Sequence, residues 1–208
     1  MTKLSAMAAS AAVAALLGLS AYYIWAARSA DAFAACRQGQ VAGGDIGGPF
    51  TLVDAAGREV TDKQVLAKPA LVYFGYTFCP DVCPLDMARN AEAVDILEER
   101  GFDVTPVFIS IDPKRDTPEV MGEYARNLHP KAVALTGSED QVKAASQAYK
   151  TYYKAQDAQD DFYVVDHTTL TYLMLPGHGF ADFFRREETA DMMANSVACF
   201  LTAAGQAS

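Results

Sequence analysis

Two periods of apolar spacing run through this chain. Ala70 to Gly75 is a continuous apolar run, the pattern of a strand buried on both faces. Helix formers dominate from Cys83 to Arg100, with Met87, Ala91, Val94, Ile96 and Leu97 on one stripe and Gly101 placed to end the helix. Val104 to Ile111 predicts the next strand. Thr117 as N-cap and Pro118 at the first helical position open a helix that runs to about Leu128. Lys131 to Leu135 reads as a short strand. Ser138 and Gln141 form a capping box for a helix predicted to reach about Tyr153. After a polar loop over Gln156 to Asp161, strands are expected at Phe162–Val165, Leu170–Leu175 and Phe180–Phe184, the last two joined through Pro176 to Gly179. A final helix runs from about Thr189 to Ala203. Upstream, Phe50–Val53 and Arg58–Thr61 flank Asp54 to Gly57 and predict a hairpin.

Alternation of strand and helix in the centre implies parallel pairing, to which the terminal hairpin adds antiparallel strands. With two thiols, Cys79 and Cys83, at the junction of the central strand and its helix, the expected class is α/β, a thioredoxin-like layer sandwich with an N-terminal β-hairpin.

The N-terminus departs from this pattern. Leu4 to Ala27 carries no charge, with Tyr22, Tyr23 and Trp25 near its end. A helix of that length spans a hydrocarbon core of roughly 30 Å, and the aromatic residues suit its interface. The expected organisation is a membrane anchor over residues 1–28, a Gly-rich tether over 29–47 and one domain over 48–208. A cleaved signal peptide and a lipoprotein signal ending at Cys36 are the competing readings. The apolar run is longer than a signal core of roughly 7–15 residues, and Cys36 lies well beyond it. Charge fixes the orientation poorly, although the short N-terminal tail favours tail inside and domain outside.

All 26 acidic residues of the 208 follow Arg28, where only 15 of the 17 basic residues lie, so the body carries a net −11. That excess argues against nucleic acid and anionic lipid surfaces as ligands.

The chemistry centres on Cys79 and Cys83, in Phe-Cys-Pro-Asp-Val-Cys-Pro directly after the first apolar run. A thiolate at a helix N-terminus is stabilised by the dipole and free N–H groups. Spacing i, i+4 puts both sulfurs on one face if both are helical. Asp81 between them reads as a turn and cap residue. Several functions remain open. An inert disulfide here closes a short loop and stabilises little. An oxidoreductase ordinarily spaces its cysteines C-x-x-C, and carries a cis-proline before the last hairpin. No proline occurs between Pro130 and Pro176, and that place holds Asp166-His167-Thr168-Thr169. A thiol peroxidase needs a threonine three residues before its cysteine, whereas Thr77 is two before Cys79. Cys79, Cys83 and His167 together offer two thiolates and an imidazole, which suit copper(I), whereas zinc wants a fourth ligand. Asp166 is placed to orient or tune His167. His129 reads as surface decoration, His178 as a turn residue, and Lys114 and Arg115 as a solvated loop.

The segments Tyr73 to Pro84, Ile109 to Pro118 and Val165 to Thr168 closely resemble the Sco/SenC family of copper-binding assembly proteins, in family order, over about Gly48 to Leu201. The resemblance implies a thioredoxin-like fold and an N-terminal membrane anchor in the bacterial inner membrane, single pass, with the domain in the periplasm. It implies that Cys79, Cys83 and His167 bind copper. The implied function is a metallochaperone for the binuclear copper site of cytochrome c oxidase subunit II. The alternative is a thiol-disulfide reductase that keeps that site's cysteines reduced, so enzymatic activity is left open. Cys36 and Cys199 lie outside the family motif, and in an oxidising compartment two leftover cysteines are expected to pair.

Overall fold

The computed structural model describes residues 13–23, 32–37, 46–156 and 163–205. It divides into two compact units, Met1–Arg37 and Gln38–Ser208. In the first, residues 13–23 form helix α1 and 32–36 a turn. The predicted anchor, 1–28, falls partly outside the described residues, at 1–12 and 24–28. Among the described residues no helix is long and apolar enough to cross a membrane. Most of the proposed tether, 29–31 and 38–45, also lies outside them.

The second unit is built on a five-stranded sheet. Strand β3 (Ala70–Gly75) is buried along its whole length and forms the centre. It pairs in parallel with β4 (Thr105–Ser110), which pairs in parallel with β5 (Val133–Leu135). On its other side β3 meets β8 (Thr171–Leu175) antiparallel, and β9 (Gly179–Phe184) closes the hairpin with a register irregularity at Leu173/Met174. The crossovers are α3 (Val82–Glu99) and α4 (Pro118–Leu128); α5 (Glu139–Ala148) follows β5, and α6 (Ala190–Ala203) packs against α3.

Local rules account for most ends. Gly101, at φ 84°, ends α3 by returning its N–H to Glu98 and aligning Phe102 N–H with Leu97. Thr117, Ser138 and Thr189 cap α4, α5 and α6 through their hydroxyls. The hairpin β1 (Thr51–Val53) and β2 (Glu59–Thr61) turns at Asp54, whose carboxylate accepts from Ala56 and Arg58 N–H.

Two expectations are corrected, and one element is added. Helix α5 stops at Ala148 rather than near Tyr153, because Lys150 turns to φ 53° and the chain enters strand β6 (Tyr153–Ala155). Strand β6 pairs with β7 (Val165–His167) as a separate two-stranded ribbon. A single-turn helix α2 (Asp62–Val65), opened by Gln64 accepting from Thr61 N–H, follows β2 directly. Of the polar loop expected at 156–161, only Gln156 is described.

Candidate metal centre

The carboxyl end of β3 delivers the cysteines. Gly75 is required there: a Cβ would sit 2.8 Å from the Phe108 ring, 2.9 Å from Cys83 Sγ and 2.9 Å from the Tyr73 ring. Beyond it the chain turns, with Cys79 N–H donating to Tyr76 O. Cys83 lies inside the first turn of α3, and Cys79 stands just ahead of the helix. The two sulfurs therefore do not share a helical face as the spacing suggested. Cys79 Sγ instead accepts from Cys83 N–H at 3.4 Å, so a sulfur stands where an N-cap oxygen would. Asp81 occupies the N-cap position but makes no side-chain cap bond.

This geometry separates the two thiols. Burial pushes half-buried Cys79 up, but the N–H groups of Asp81, Cys83 and Val82 outweigh it, and the thiol titrates below its ordinary value. Cys83 is buried, and burial pushes its thiol far up, helped by the nearby charge of Cys79.

The third member comes from β7, 84 residues downstream of Cys83. His167 Nε2 lies 3.3 Å from Cys83 Sγ. Its Nδ1 is 2.9 Å from Thr168 O, a carbonyl that can only accept, so Nδ1 carries the proton. The Nε2 lone pair then faces the sulfurs. Burial lowers the pKa of His167, which keeps the ring neutral at pH 7. Tyr73 and Tyr76 hold the imidazole edge-on, with centroids at 6.1 and 6.0 Å. The ligand atoms of Cys79, Cys83 and His167 all lie within 4.8 Å of one another, a group able to hold a metal ion.

The SCO1/SenC family model matches residues 38–202. The chain belongs to the SCO1/SenC family. Protein SenC of Rhodobacter capsulatus is 52% identical over 203 residues, covering 97% of this chain and 92% of that protein. The crystal structure of Arabidopsis thaliana ScoI with copper bound has a TM-score of 0.72 at 40% identity, over 77% of this chain and 99% of that one. Bradyrhizobium japonicum ScoI, also solved with copper bound, gives 0.66 at 37% identity, over 74% and 98%. The fold is the thioredoxin-like α/β arrangement of these SCO1/SenC structures.

Other residues around the SCO1/SenC site differ from the sequence reading. Asp166 is exposed and accepts from Gln156 Nε2; it reaches His167 only through its charge, while Thr168 O takes the orienting hydrogen bond. Arg115 is no solvated loop residue. Its side chain is 11% exposed, paired with Asp112 and stacked 3.6 Å over Tyr163. His129 is buried, accepting from Lys131 N–H at Nδ1 and facing Asp95 at Nε2. His178 is exposed in its turn.

Two buried acids escaped the sequence reading. Asp86 accepts from Tyr73 O–H at 2.9 Å and faces Arg186 Nε at 3.3 Å. Asp116 accepts from Ser110 O–H and from the Thr77 hydroxyl and N–H, fixing the start of the cysteine loop. The available signal was position: Asp86 follows Cys83 by three residues, one helical turn. The free cysteines among the described residues are Cys79 and Cys83.

Proposed function

We propose that this protein is a copper metallochaperone. Copper is held by Cys79, Cys83 and His167 for assembly of the binuclear copper site of cytochrome c oxidase subunit II. The observation that carries the reading is the convergence of two sulfurs and one imidazole nitrogen within 4.8 Å, the nitrogen with its lone pair facing inward. Two soft thiolates and a neutral imidazole fit copper(I), and the family relatives solved with copper support the choice. Asp166 tunes the site through its charge. Residues 1–28 anchor the domain to the bacterial inner membrane, facing the periplasm, and Cys36 pairs with Cys199. Neither belongs to the free thiols, and peptide mapping without reductant tests the pairing.

A second reading has its own support. Half-buried Cys79, with a lowered pKa, beside a buried partner thiol, is the asymmetry a dithiol reductase uses. Titrating the reduced full-length chain with copper(I), then offering it an apo subunit II copper domain, separates the two. Copper transfer supports the chaperone. Rapid reduction of that domain's disulfide without transfer supports the reductase.

A further inference from the structure

We infer that Arg115 is a positioning residue for His167, tying the strand that carries the histidine to the loop that carries Cys79. This rests on the copper reading above.

The need for such a tie comes from topology. The cysteines extend from the central sheet, but β7 pairs with β6 in a ribbon of its own. One end of β7 continues through residues 168–170 into β8. Its other end, at Tyr163 to Val165, is held to the cysteine loop by side chains among the described residues. The Tyr76 hydroxyl oxygen accepts from Val165 N–H at 3.2 Å.

Arg115 makes the rest of the link. Its guanidinium lies 3.6 Å from the Tyr163 ring, and Nη1 donates to Tyr163 O at 3.0 Å. Nε pairs with Asp112, whose other oxygen accepts from Tyr163 O–H at 2.7 Å. Toward the cysteine loop the same guanidinium faces Phe78 at 5.0 Å and Tyr76 at 5.6 Å. One planar group thus touches the residue two before Val165, and both Tyr76 and Phe78 ahead of Cys79. A lysine ammonium cannot reproduce this, because it lacks the plane that stacks and the fork that bonds in two directions.

The test compares full-length reduced protein, wild type and variants, in copper(I) competition against a chromogenic chelator, with X-ray absorption reporting the ligand set. Arg115→Met should weaken copper by ~10–100-fold, the range for removing an outer partner of a metal ligand. It should also reduce the nitrogen contribution to the ligand set, with Arg115→Lys recovering little. In the His167→Ala background the same change should add almost nothing, because the residue acts through the histidine. An equal loss in both backgrounds overturns the inference. Should Arg115→Met fail to fold, Tyr163→Leu removes the stacked ring while keeping the Arg115–Asp112 pair, and the same non-additivity is required of it. If His167→Ala alone leaves affinity unchanged, the three-ligand reading itself falls, taking this inference with it.

Discussion

Cys83 Sγ and His167 Nε2 stand 3.3 Å apart, across 84 residues of chain, and the histidine's tautomer is set by the carbonyl of its own neighbour Thr168. A backbone acceptor cannot be lost by substitution. The nitrogen that faces the sulfurs is therefore fixed by the path of the chain, and burial keeps the ring neutral.

His167→Ala should weaken copper(I) binding by more than the ~10–100-fold typical of an outer partner. It should leave most dithiol-disulfide activity intact, since both sulfurs remain. Copper competition and a disulfide-reduction assay on the same preparation check this. Equal loss of both activities would mean that the histidine supports the cysteine loop as a whole.

The two thiols should react at different pH. With Cys79 lowered and Cys83 raised, iodoacetamide should label Cys79 first near neutral pH, its rate profile inflecting below that of an ordinary thiol. Peptide mass spectrometry across pH reads the order. The linked stability signs are opposite. Cys79 stabilises the fold above its unfolded pKa, a gain lost as pH falls through the folded value. Cys83 stabilises it below its unfolded pKa, a gain lost as pH rises through the folded one.

Gly75→Ala should cost roughly 1–3 kcal/mol by overpacking, because the new methyl meets the Phe108 ring, Cys83 Sγ and the Tyr73 ring at once. Urea midpoints measure the loss. Since one of the three neighbours is a proposed ligand, copper affinity should fall too. A variant as stable as wild type would show that the strand end shifts freely.

Asp116→Ala should destabilise by at least ~2 kcal/mol, leaving the Ser110 hydroxyl and the Thr77 hydroxyl and N–H without their acceptor. Asp116→Asn should cost less, because one oxygen survives. Burial raises the Asp116 pKa, so its contribution to stability is present below the unfolded value and is lost as pH rises through the folded one. The penalty of the asparagine variant should therefore be smaller at pH 7 than at pH 4. Urea unfolding at both values tests the sign.

How much of this was legible depended on the range over which each signal acts. The capping of α4 and the buried run of β3 are local, and the chain spelled them out. The ribbon β6–β7 was not, because three residues of Tyr-Lys-Ala carry no period and pair across a gap in sequence. Arg115 was misread because a charge among Asp, Pro and Lys looks solvated. What buries it is Tyr163, 48 residues away. His129 was misread likewise, as its partner Asp95 lies 34 residues back on another helix. His167 was found from the pattern because it falls where a thioredoxin-like chain brings its last hairpin over the cysteines. The tyrosines that frame it follow only from the packed strand ends.

The ribbon has a consequence for unloading. Because β7 forms its ladder with β6 and not with the central sheet, His167 can be drawn back without breaking a rung between β3 and its neighbours. Such a retreat would disturb the side-chain contacts made by Tyr76, Arg115 and Asp112. In the proposed chaperone the body that displays the two sulfurs would keep its shape while the third arm opens, so that release of a bound metal and loss of the fold would be separate events.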